Sequence, residues 1–196
     1  VVKAEDGVNI NTDAQSADIA LSEPGSIVIR EKDAITLNSL STINGDITAT
    51  SADTMTVKRV EANSASKATL TSTGASIVQA AGVTTPAVTA SSTFLSASSG
   101  IGSQTTSSTS PLILQTNTLK ATSTSGDIVL AQNGPLALDE VTTSGNINLA
   151  ITDGGLTGAS GKPNLTGNQV KVTAEGDVSI NTNAGSLLGI TTTGNI

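Results

Sequence analysis

Aliphatic and polar residues alternate along this chain in short bursts, and the bursts recur at a fixed spacing. From Ile27 in "GSIVIREKDAITLNSL", aliphatics follow at offsets of two, eight, ten and thirteen: Ile29, Ile35, Leu37 and Leu40. From Ile47 the same offsets reach Ala49, Met55, Val57 and Val60, and from Ile128 they reach Leu130, Leu136, Leu138 and Val141. An offset of two marks a strand with one face buried. Between these strands stand turn-formers such as "REKDA", "TSADT" and "AQNGP".

The bursts are punctuated by a phrase, Gly-Asp or Gly-Asn followed by Ile or Val, with Gly at 45, 126, 145, 176 and 194. Successive glycines lie 20 residues apart from Gly25 to Gly45, 19 from Gly126 to Gly145 and 18 from Gly176 to Gly194. That interval is too short for a strand-helix-strand crossover of ~30 residues, but it holds two or three short strands with their turns. Such a unit cannot bury its apolar face alone. Stacked in parallel, each coil covers the next, and ladders of Ile on Ile and Leu on Leu form the core. The pattern predicts an all-β fold, a parallel β-helix or β-solenoid with coils of about 19–20 residues, as one segment over 1–196. About ten coils at ~4.8 Å each make a rod of roughly 50 Å. The register drifts over 74–125 and again over 150–170, where longer loops are expected.

The corners follow local chemistry. The glycines are expected to supply positive φ, and Pro111 and Pro135 each introduce Leu-x-Leu at a position where a missing N–H is tolerated. Asp127 should stack near Asn146 and Asp177 near Asn195, since carboxylates ~4.8 Å apart would repel.

Composition narrows the class. The chain has one Phe and one Met and lacks Trp, Tyr, His and Cys, so Ile, Val, Leu and Ala must fill the interior, which suits stacked strands. Net charge is −7 with only 13% charged residues. Nucleic-acid binding would need a basic stripe and stacking aromatics, so none is expected. The absence of cysteine excludes disulfides and thiolate metal sites. No apolar run is long enough for a membrane helix, so no membrane insertion is expected. Because the pattern begins at Val1 in mid-coil and ends in "TGNI", the chain reads as an internal piece of a longer repeat protein.

The run Gly100 through Leu130 strings together Gly-Ile-Gly-Ser (Gly100 to Ser103), a Pro-Leu-x-Leu strand and a closing Gly-Asp-Ile-x-Leu. This order resembles the repeats of filamentous-haemagglutinin-like large exoproteins exported by two-partner secretion. The resemblance implies a right-handed β-helix, in keeping with the general hand of parallel crossovers. It also implies a rod that is secreted or displayed on the bacterial outer surface, with adhesive, biofilm or contact-dependent roles. It carries over no catalytic residue.

Candidate chemistry is thin. Some parallel β-helices cleave polysaccharides with clustered carboxylates, but Glu31, Asp33, Asp139 and Glu140 sit in or beside corners, and no His is available as a base near neutral pH. A calcium-binding nonapeptide is absent, with only a distant echo at "TDGGLTG" around Asp153. Lys58 and Arg59 are read as solvated, and the glycosylation pattern Asn164-Leu165-Thr166 as a chance match. The expectation is a non-enzymatic chain with no catalytic, cofactor-binding or metal-ligating residue and no cofactor.

Threonine is the remaining signal. Runs at Ser41–Thr42, Thr71–Thr73, Thr122–Thr124, Thr142–Thr143 and Thr191–Thr193 would align, in register, into a hydroxyl-rich wall that satisfies corners or packs rods side by side. The leading expectation is an adhesin shaft that meets host or neighbouring-cell molecules through other regions. The alternative is a self-assembling fibre, matrix or surface layer in which copies associate end to end or side by side. An ice-binding or polysaccharide-acting β-helix is the remote third.

Overall fold

A computed structural model describes residues 1–63, 65–104 and 109–196. Among the described residues the fold is all-β with 0% helix, its parallel strands stacked as a β-solenoid of about 9 turns. Each turn contributes strands that pair in parallel with the turn before and the turn after. Ser26–Glu31, for example, lies between Gly7–Thr12 and Ile47–Ser51.

One turn shows how the sequence sets the cross-section. Ile27, Ile29 and Glu31 point inward along a first side, and a corner at residues 32–34 leads to Ile35 and Leu37 on a second. A bend then places Leu40 and Thr42 on a third. Successive turns superpose these positions. The second side carries the ladder Ile35, Met55, Ile77, Ile101, Ile128, Ile147 and Val170. On the third side Leu40, Val60, Val88 and Leu114 stack in the same way. Met55, Ile77, Ile101 and Ile128 are all fully buried, each worth roughly 1.5–3 kcal/mol of transfer free energy. No ring is needed in an interior this narrow. The single Phe, Phe94, stands outside at 37% exposure.

All fifteen aliphatics of the three aligned segments are buried, but their register differs from the sequence reading. Ile27 stacks on Ile47 as expected, whereas Ile128 belongs to the Ile35 ladder, one side further round the coil. Leu136, Leu156 and Val178 form another line. The cause is uneven turn length: a turn measures 27 residues from Ile101 to Ile128 but 17 from Val170 to Leu187. Single-residue bulges at Ala17/Asp18, Leu119/Lys120 and Val170/Lys171 add further slips. A short alternating strand looks the same on any side, so offsets alone assigned the third segment to the wrong face.

The insertions fall within the two regions where the period drifts. Residues 80–87 separate Gln79 from Val88 where the preceding turn needs only Lys58 and Arg59 between Val57 and Val60. On the next turn the chain leaves after Gly102 through an antiparallel pairing of Ser103 with Ser110 and returns at Leu112. Both leave from the second side. Residues 105–108 of the run that resembles exoprotein repeats lie outside the described residues. The third insertion, 159–163, leaves from the first side instead.

The corner glycines also need a different explanation. Positive φ occurs at Gly7, Gly82, Gly100, Gly102, Gly134, Gly161 and Gly189, and at none of Gly45, Gly126, Gly145, Gly176 and Gly194. Those five are glycine because the backbone of the neighbouring turn passes too close. A Cβ on Gly126 would lie 1.6 Å from the Ser99 carbonyl oxygen, and one on Gly45 2.0 Å from that of Gly25.

Candidate functional site

The corners form hydrogen-bonded columns, one ahead of the second side and one ahead of the first. Asn146 N–H donates to the Asp127 carboxylate at 2.8 Å, and Asn195 N–H to that of Asp177 at 2.7 Å. Asn168 continues the first column through its side-chain amide to Asn146 Oδ1, 3.3 Å. Lys67 N–H makes the same bond to Asp46, 2.8 Å. The expected Asp-on-Asn stacking is present, and its physical content is a carboxylate capping the next turn's amide.

The threonine runs divide into two jobs. Outward-facing Thr50, Thr71, Ser96, Thr122, Thr142 and Thr166 stack on six successive turns. Two residues earlier the parallel rank reads Thr48, Thr69, Phe94, Lys120 and Glu140. Thr-x-Thr therefore holds on only two of these turns. The next inward residues serve the corners: Thr143 Oγ1 donates to the Gly126 carbonyl at 2.5 Å and accepts Gly145 N–H at 3.0 Å. Two of the five runs lie elsewhere, because Ser41 stacks on Glu61 and Thr191 on Thr173.

The carboxylates do not converge as a pair with a base. Asp139 is bonded to Lys162 at 2.7 Å and Glu140 to Lys120 at 3.0 Å, the two acids being neighbours on the strand Leu136–Thr143. These cations hold both acids below their ordinary values, the bonded lysine being the first cause in each case. At the opposite end Asp13, Glu31 and Asp33 bring ligand atoms within 4.8 Å of one another. Glu31 is 5% exposed and accepts the N–H groups of Ala14 and Lys32, at 3.0 and 2.8 Å, while Lys32 Nζ lies 2.9 Å from Asp13. Desolvation, then the charges of Asp13 and Glu31, push Asp33 up. Asp13 escaped the sequence reading. Its signal was Lys32, one turn on, which stacks on it because Thr12 pairs with Glu31.

The minor candidates resolve locally. Arg59 grips both Glu61 oxygens through one guanidinium edge, Nε and Nη2 at 2.8 and 2.7 Å, leaving Lys58 exposed beside it. Asp153 adopts φ 57° at a corner and donates its N–H to Glu175, 2.8 Å. Asn164 is fully buried, with Nδ2 on the Ala159 carbonyl and Oδ1 on Asn181 N–H, both at 2.9 Å. A glycan cannot be placed on that amide in the folded chain, so the glycosylation pattern is a structural asparagine pinning the 159–163 loop.

One concavity was not anticipated. Where the third side turns back toward the first, a groove of about 690 Å³ runs along the axis across five turns. Ser41, Glu61, Thr89 and Gln115 stack in register as one wall. Asn63, Ser91 and Asn117, two residues further along each turn, line the other, with Ala62 and Ala90 between. Small residues at the bend let the surface sink instead of bulge. The sequence signal was the repeated small or polar residue two positions after Leu40, Val60, Val88 and Leu114.

Compared with protein-family models, curated proteins and solved structures, the chain matches none.

Proposed function

We propose that this chain is a shaft segment of a filamentous, adhesin-like bacterial exoprotein, secreted or held at the outer surface. The observation that carries this reading is the stack of about 9 turns with aliphatic ladders running through it. Each turn adds the same parallel contacts to the last, so length grows without a new core. Such a body transmits force and sets a distance. The resemblance of Gly100 to Leu130 to haemagglutinin-like repeats supports the surface setting and a right-handed winding. The role is mechanical and non-enzymatic, with host or neighbouring-cell molecules met through other regions of the parent protein.

A second reading, a self-assembling fibre or surface layer, draws on the hydroxyl rank from Thr50 to Thr166. A column of short polar side chains at one turn's spacing suits lateral packing of rods. Electron microscopy of the parent protein on its native cells separates the two. Single rods projecting from the surface support the shaft; rods joined side by side or end to end support the layer. Globular particles without rods would overturn both.

A further inference from the structure

We propose that the groove at the third corner binds a neutral polysaccharide chain lying parallel to the rod axis. Among the described residues its lining holds no lysine or arginine, and its one carboxylate, Glu61, is already paired with Arg59. In a chain of net charge −7 this strip is locally uncharged, so it offers no attraction to an ionic ligand. Gln115, Asn117 and Asn133 are exposed along it with amides that bond to no other described residue, and Thr89 adds a hydroxyl.

The spacing selects among uncharged ligands. Successive turns bring a new polar side chain to the groove every ~4.8 Å, comparable to one pyranose unit of an extended glycan. Five turns therefore set a polar side chain, Ser41, Glu61, Thr89, Gln115 and Asn133 in turn, beside a chain of about four sugars, with the unbonded amides gathered on the last two turns. An extended peptide rises ~3.3 Å per residue and would fall out of step. It would also find no strand edge, because the backbone groups of the floor are consumed between turns, as in Thr42 N–H to Glu61 O at 3.0 Å and Ala62 N–H to Thr89 O at 3.0 Å. A purely apolar ligand would leave the polar side chains of both walls facing hydrocarbon.

The groove does not depend on the shaft reading, which stands or falls by microscopy. The test is an NMR titration of the isotopically labelled chain with cellohexaose, maltohexaose and laminarihexaose, and with a heparin hexasaccharide as the charged comparison. A saturable shift with at least one neutral oligosaccharide, centred on the side-chain amides of Gln115, Asn117 and Asn133, is expected. Q115A and N117A, both at exposed positions, should each weaken it roughly 2- to 10-fold, the cost of one hydrogen bond. T71A, on the hydroxyl rank, should leave it unchanged. No saturable shift with any of the three, shifts centred elsewhere, or equal binding of heparin would overturn the proposal.

Discussion

Asn146 donates its backbone N–H to the Asp127 carboxylate one turn earlier in the stack, at 2.8 Å. This bond ties two turns together at a corner where the regular strand ladder is interrupted. Asp127→Ala removes the acceptor from a half-buried amide and should cost about 1 kcal/mol. Asp127→Asn keeps an oxygen and should cost less. Asn146→Asp places two carboxylates on adjacent turns, and its penalty should shrink as salt is added. Urea unfolding of the three variants at low and high salt checks the order. Equal stability of Asp127→Ala and the parent chain would show that the column is incidental.

Close approach, not backbone conformation, dictates glycine at Gly126. An added Cβ meets the Ser99 carbonyl oxygen at 1.6 Å, so Gly126→Ala must push adjacent turns apart and should cost at least ~2 kcal/mol, the range of overpacking. Gly82 has φ +78° with nothing within 4 Å of its Cβ position. There alanine pays only for left-handed backbone, about 1–2 kcal/mol. Thermal unfolding of the pair should rank Gly126→Ala as the more damaging. The reverse order would mean that the corners tolerate separation.

Thr93 interrupts an aliphatic line, standing between Ala68 and Leu119. Its hydroxyl is buried and has no hydrogen-bond partner among the described residues. Valine has nearly the same shape and no polar atom to desolvate. Thr93→Val should therefore stabilise the chain by about 1 kcal/mol, while Leu119→Ala beside it should cost roughly 2–5 kcal/mol, as cavities in packed cores do. Loss of stability in Thr93→Val would point to a polar role for this hydroxyl.

How much of this was legible follows from what each residue depends on. Ile27, Leu37 and Val141 could be placed inside from alternation alone, because burial on a strand is a local pattern. The partners of Asp127 and Asp177 were legible too, since each lies one clean period from an Asn. The side of the coil that Ile128 occupies was not, because it depends on the accumulated lengths of all earlier turns. The groove was invisible for a related reason. Ala62 and Ala90 are 28 residues apart with the 80–87 insertion between them, and only the pairing of Val60 with Val88 reveals that they share a floor. The cluster of Asp13 with Glu31 and Asp33 likewise needed the register of Thr12 on Glu31.

Lys162 fastens the exposed 159–163 loop to Asp139 on the turn before, and the two groups shift in opposite directions. The bonded lysine lowers Asp139 below its ordinary 3.8, while Asp139 raises Lys162 above 10.5. The contribution of Asp139 is present above pH 3.8 and lost as pH falls through its lowered value. That of Lys162 is present below 10.5 and lost as pH rises through its raised value. The tether should therefore hold across the whole range between them and release only at the extremes. Lys162→Met removes the cation and should move the NMR titration of the Asp139 carboxyl upward, toward 3.8. Glu140 should respond less, since Lys120 is the first cause of its shift. Lys120→Met should reverse that order, moving Glu140 toward 4.5. If neither titration moved with its own lysine, the bonds at 2.7 and 3.0 Å would not persist in solution.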